Sequence, residues 1–109
     1  MNNENENKEI ILNQIDRINT IEKLNNNKIT NDILYMLLEY NIKYYYIEIT
    51  EEDLIETLII KYNYKITIEN ILNSIIILVD KNILIKHNSL DGTNYYGFNN
   101  KYFNDNDIW

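Results

Sequence analysis

Between Thr50 and Asn99 the hydrophobic period changes from helical to strand-like, with a tight turn inside the helical part, and few folds accommodate that order in so short a stretch. Thr50-Glu51-Glu52-Asp53 is a near match to the capping box, with Asp where Glu or Gln is usual. Leu54, Ile55, Leu58 and Ile59 follow at helical spacing and carry a helix to about Tyr62. Asn63-Tyr64-Lys65-Ile66 leaves room only for a short turn, and Asn63 tolerates the left-handed conformation that ends a helix where Gly is missing. Thr67 starts a second helix, which runs to about Lys81 with Ile71, Ile75 and Leu78 on its apolar face. The period then falls to two. Residues 83–88 and 95–99 are expected to form strands joined by Ser89-Leu90-Asp91-Gly92-Thr93-Asn94, in which Asp-Gly is a strong turn signal. Ile83 and Ile85 should face the core, with Lys86 pointing outward.

Upstream, Thr30-Asn31-Asp32 has the chemistry of a helix start, a side-chain oxygen for the free N–H groups and an acid near the positive end of the dipole. Ile33, Leu34, Leu37, Leu38 and Tyr40 extend that helix over 31–40, to an end near Asn41. Residues 43–49 are aromatic and β-branched, and their alternation puts Tyr45, Ile47 and Ile49 on one face of a short strand. Before these, Ile11, Ile15, Ile18 and Ile21 recur at helical spacing in 9–24, with Ile10 and Leu24 widening the stripe. So wide an arc suits a dimer contact; the alternative is a helix that caps its own domain. The organisation expected is therefore a disordered 1–8, an amphipathic helix and linker over 9–27, a folded domain over 28–99 and an acidic tail over 100–109. The class is α+β, mostly helical: a three-helix core with a β-hairpin and an extra N-terminal helix.

The length of 109 residues suits one domain. With no Cys, disulfides and thiolate metal sites are excluded. The N-terminus lacks the basic-then-apolar order of a signal peptide. The longest apolar run, Ile75–Val79, is far short of the roughly 20 residues that span a bilayer. The expectation is a soluble, cytoplasmic protein with no membrane partner. Asn, Ile and Tyr abound while Pro is absent; the abundant residues share AT-rich codons, so their numbers reflect base composition and mark no site. The formal charge of -7 repels phosphate at long range, but it is unevenly spread. Glu48, Glu51, Glu52, Asp53 and Glu56 crowd the start of one helix, where acids complement the helix dipole; with no His nearby, a metal cluster is the weaker reading. From Lys61 to Asn88, Lys61, Lys65, Lys81 and Lys86 face only Glu69 and Asp80.

The run Thr67-Ile68-Glu69-Asn70-Ile71-Leu72-Asn73-Ser74-Ile75-Ile76-Ile77-Leu78-Val79-Asp80-Lys81-Asn82-Ile83-Leu84-Ile85 resembles the recognition helix and first wing strand of bacterial winged helix-turn-helix regulators. Ile71, Ile75, Leu78, Ile83 and Leu84 fit that frame, and Asn82 stands where Gly is usual, a replacement that Asn's tolerance of positive φ permits. The resemblance covers roughly residues 30–99 and is specific for fold rather than target. It implies double-stranded DNA as partner, read in the major groove by helix 67–81, with the hairpin 83–99 on the backbone or minor groove. Asn70, Asn73, Ser74 and Ile77 would then point at the bases: Asn pairs bidentately with adenine, Ser contacts bases or phosphate, and an exposed Ile suits a thymine methyl. Lys61, Lys65, Thr67 and Lys81 would flank them, and Lys86, His87 and Thr93 would act from the hairpin. The setting implied is transcription regulation, or DNA segregation or transfer on a plasmid or phage, by a homodimer joined through Ile11, Ile15, Ile18 and Ile21.

Helix 67–81 carries no Arg or Lys between Lys65 and Lys81, and Ile76 and Ile77 stand where polar residues are usual. The alternative is a protein-interaction module with these two as anchors and no DNA. The tail pair Ile108-Trp109 is faintly similar to the apolar-tipped acidic tails with which single-stranded DNA-binding proteins recruit partners; docking on the domain or plain disorder are the favoured readings. No catalytic motif, cofactor motif or metal-ligand spacing is present, and His87, the only His, lacks the convergent partners that catalysis requires.

Overall fold

Three side chains set where α-helices begin. In the computed structural model, which describes residues 3–25, 27–44 and 48–99, Asn27 Oδ1 accepts the backbone N–H groups of Ile29 (2.8 Å) and Thr30 (3.2 Å) and so caps a helix over Lys28–Tyr44. Thr30, expected as the cap, lies one turn inside and donates its hydroxyl to the Asn27 carbonyl (2.9 Å). The helix also continues past Asn41, whose side chain donates to the Leu37 carbonyl (2.8 Å) instead of ending the ladder. Residues 43 and 44, expected in a strand, are therefore helical, and Tyr45 and Ile47 lie outside the described residues. Thr50 and Thr67 cap the next two helices as expected, accepting from the N–H groups of Asp53 (3.2 Å) and Asn70 (3.1 Å).

In chain order the elements are α1 (Asn3–Ile21), α2 (Lys28–Tyr44), β1 (Glu48–Thr50), α3 (Glu51–Lys61), α4 (Ile68–Asp80), β2 (Leu84–Asn88) and β3 (Asn94–Phe98). The described residues thus form a mostly helical α+β unit of four helices and one antiparallel sheet in the order β1-β3-β2. α1 begins earlier than its apolar stripe predicts. Residues 3–8, expected to be disordered, are helical, because Glu and Lys there are good helix formers that extend the first turns.

Two conformational demands join the later elements. Asn63 (φ 56°) ends α3 in the left-handed region, and Tyr64 (φ 62°) follows it there; Tyr64 N–H donates to the Ile59 carbonyl (2.9 Å). Asn82 (φ 59°) ends α4, with Ile83 N–H on the Leu78 carbonyl (3.0 Å), and aims the chain into β2. Gly92 (φ 88°) completes the hairpin turn, where Asp91 accepts from the Thr93 N–H (2.9 Å) and from the Ser89 hydroxyl.

The core lies where the helices meet the inner face of the sheet. Ile33, Leu34, Leu37 and Leu38 from α2, Leu54 and Leu58 from α3, and Ile71, Ile75 and Leu78 from α4 are all buried. The register pairs Ile49 with Tyr96 and Leu84 with Phe98, and these four side chains close the core from the sheet side. Ile83 is buried as expected, but Ile85 is not: it is 49% exposed. Ile83 precedes the strand, so the alternation starts at buried Leu84, and the next residue falls on the outer face opposite Gly97.

α1 belongs to this core. Ile11, Ile15 and Ile18 are buried against the rest of the chain, and only Ile21 of the expected dimer stripe is exposed. This corrects the dimer reading in favour of a helix that caps its own domain. The apolar arc is wide because α1 packs along α2 and Asn19, buried between them, holds the contact by donating to the Ile15 carbonyl (3.0 Å) and to Asn31 Oδ1 (2.8 Å).

Candidate nucleic-acid interface

α4 divides cleanly into two faces. Ile71, Ser74, Ile75 and Leu78 face inward, while Glu69, Asn70, Asn73, Ile76, Ile77 and Asp80 face solvent. Asn70, Asn73 and Ile77 therefore stand together on an exposed row at i, i+3 and i+7. Ser74 does not join them: it is 5% exposed, on the core side next to Ile75, and cannot reach a groove. Its small side chain fits where α4 packs closely, a role that its polarity concealed in the sequence. Thr67 is committed to the cap, so its hydroxyl organises the first turn of α4.

The four lysines expected at the interface split into two groups. Lys61 Nζ lies 3.5 Å from Asp32 Oδ1 and over the Tyr35 ring, 5.9 Å from its centroid. It is thereby turned toward α2, away from the role of a free cation beside α4. Asp32 also accepts from Lys28 Nζ (3.4 Å) and from the Tyr62 hydroxyl, and Lys28 Nζ sits 4.7 Å from the Tyr62 ring centroid. Burial, then the bond to the Asp32 carboxylate, pushes the Tyr62 phenol well above its ordinary range. This cluster ties the start of α2 to the end of α3. It was not legible in the sequence because its members are 30 residues apart. Lys65, Lys81 and Lys86 form the second group: exposed, and with no ion pair among the described residues. Lys65 precedes α4, Lys81 follows it and Lys86 lies on β2.

On the hairpin, His87 is exposed but occupied. Its Nδ1 lies 3.2 Å from Glu48 Oε2, and its ring tilts against Tyr95 with centroids 5.9 Å apart. That places it over the outer face of the sheet, on β1 and β3, instead of at the hairpin tip. Thr93 is half-buried in the turn, with its backbone N–H on Asp91 and its carbonyl accepting from Ser89 N–H (2.9 Å). The Ser89 hydroxyl and the Thr93 N–H hold the Asp91 carboxyl down at about 2. Ile108 and Trp109 lie outside the described residues.

Of the acids at the start of α3, Glu51 has a structural use: its Oε1 accepts from the Tyr96 hydroxyl (2.7 Å), which burial and then this bond keep protonated far above the usual range. Among the described residues, no group of three or more His, Asp or Glu side chains is placed to hold a metal ion, and no helix is long and apolar enough to cross a membrane. Among the exposed apolar side chains that sequence reasoning missed, Ile60, Tyr64 and Ile68 lie around the α3–α4 turn. Their signal is positional: Ile60 and Ile68 fall off the stripes of their helices. Compared with known proteins, the chain matches no family model, no curated protein and no solved structure.

Proposed function

We propose that the chain is a winged helix-turn-helix protein that binds double-stranded DNA, with α4 in the major groove and the β2–β3 hairpin on the backbone or minor groove. The order α2-β1-α3-α4-β2-β3, the tight α3–α4 turn and the β1-β3-β2 sheet support the fold reading. One observation carries the function: Asn70, Asn73 and Ile77 share an exposed row on α4, with Lys65 and Lys81 at its ends and Lys86 on the strand packed beside it. Asn pairs with adenine edges and Ile meets a thymine methyl, so the row suits an AT-rich site, while the three lysines supply phosphate contacts. The biological setting of this reading is transcriptional control, or DNA segregation or transfer on a plasmid or phage. No catalytic step is part of it. Dimerisation through α1 is not part of it either, because the stripe is used within the chain.

A salt series of fluorescence anisotropy with an AT-rich duplex tests the proposal. Binding should tighten as salt falls, and Lys65→Ala with Lys86→Ala should weaken it and flatten the salt slope by about 2, roughly one for each phosphate that no longer meets a lysine. No binding at low salt, or a double variant that binds like the wild type, would overturn it.

A second reading has its own observation. Ile76 and Ile77 are 54% and 46% exposed side by side on α4, as anchors of a protein-interaction surface would be. Under that reading, Ile76→Lys with Ile77→Lys abolishes a protein complex. Under the DNA reading Ile76→Lys alone does not weaken duplex binding, since Ile77 and not Ile76 stands on the row that meets the bases.

A further inference from the structure

A groove runs along the exposed side of α3, and its chemistry differs from that of α4. Its floor is Ile55, Ile59 and Ile60 and its far end is Tyr64; Glu51, Glu52 and Glu56 line it as well. Ile55 and Ile59 rest on the core with part of their surface open, while Ile60 and Tyr64 are largely exposed. Tyr64 is 75% exposed and held at positive φ (62°), so its ring stands in solvent with no packing to account for it. Stability accounts for only part of the rim: Glu52, in the first turn of α3, complements the helix dipole, whereas Glu56 lies a turn further on. Glu51 bonds to Tyr96, but Glu52 and Glu56 form a like-charge pair at i, i+4, an arrangement that weakens a helix. Lys61, the basic residue of α3's last turn, is drawn to Asp32, and among the described residues no ion pair engages Glu52 or Glu56.

We propose that this groove is a docking site for a short basic amphipathic helix of a partner protein, lying along α3 with aliphatic side chains on Ile55, Ile59, Ile60 and Tyr64 and with Lys or Arg against Glu52 and Glu56. Charge complementarity selects this occupant. The rim repels a phosphate backbone, so the groove is no extension of the DNA face. A second copy of the chain fits poorly, since α1, α2 and α4 each bury their apolar stripe in their own core and carry few cations. α3 and its turn extend roughly 20 Å, room for about three to four turns of a partner helix anchored at i, i+4 and i+7. The site goes beyond the DNA reading and stands whether or not DNA binds.

The test is a titration of the isotope-labelled full chain with a synthetic amphipathic helix of leucine and lysine, followed by amide NMR. Shifts should be confined to residues 51–64, and Glu52→Lys with Glu56→Lys should weaken binding at least tenfold. The isosteric pair Glu52→Gln and Glu56→Gln should weaken it less, and a peptide with Glu for Lys should not bind. Shifts centred on α1, α4 or the hairpin, no shifts at all, or equal affinity for the charge-reversed protein would each overturn the proposal.

Discussion

Asp32 has a larger part in the fold than its place in a first helical turn suggests. It accepts from the Tyr62 hydroxyl and lies within 3.5 Å of both Lys28 and Lys61, which joins the start of α2 to the end of α3. Asp32→Ala leaves Tyr62 without its acceptor and releases both lysines. Chemical denaturation should show a loss of about 1.5–3 kcal/mol, the range for hydrogen bonds to a charged group. Freed Lys61 would also add one mobile cation near α3, so the same variant should bind duplex DNA no more weakly than the wild type. Asp91 offers a second residue-scale outcome. Its carboxyl sits at about 2 in the folded chain because Ser89 and Thr93 donate to the ionised form. The ionised turn is therefore intact above about 4, the ordinary Asp value, and is lost as pH falls through about 2. A carboxyl NMR titration should give that low midpoint, and a midpoint near 4 would mean that the turn is not formed in solution.

At the scale of elements, the fold depends on where helices stop. Asn82 at φ 59° redirects the chain from α4 into β2, and its carbonyl accepts from Asn99 Nδ2 (2.8 Å). Asn82→Ala should cost about 1–2 kcal/mol by thermal or chemical denaturation, the cost of the left-handed region for a residue with Cβ, whereas Asn82→Gly should cost little or nothing. These signals are legible in the sequence because they are local: Thr50, Thr67, Asn63, Asn82 and Asp91-Gly92 each act on backbone a few residues away. Local competition is also why others mislead. Asn27 outcompetes Thr30 for the start of α2, and Asn41 bonds back into the helix it is expected to end. Ile85 departs from expectation for a parity reason: two consecutive buried residues, Ile83 and Leu84, shift the strand alternation by one. Ser74 departs from it because a polar side chain at a core position has the same composition as one on a reading face.

For the whole molecule, α1 is a structural layer and not an appendage. Ile18 is fully buried between α1 and the core, so Ile18→Ala should cost about 2–5 kcal/mol and lower the single unfolding transition of the entire domain. A variant that frays α1 and leaves the rest unchanged would contradict that. Which isoleucine face meets solvent and which meets another helix depends on long-range packing, so the α1 stripe alone does not separate a dimer from a capped monomer. The distribution of charge follows the same division: acids gather at β1 and α3, while Lys65, Lys81 and Lys86 lie around α4 and on β2. DNA belongs to the second region in the function proposed above, and a basic partner to the first. Mapping a titration with an AT-rich duplex onto the amide NMR spectrum separates them most directly. The largest shifts should fall on Lys65, Asn70, Asn73, Ile77, Lys81 and Lys86 and fade as salt is raised. Absence of shifts at low salt, or shifts centred on the α3 groove, would contradict DNA binding by α4.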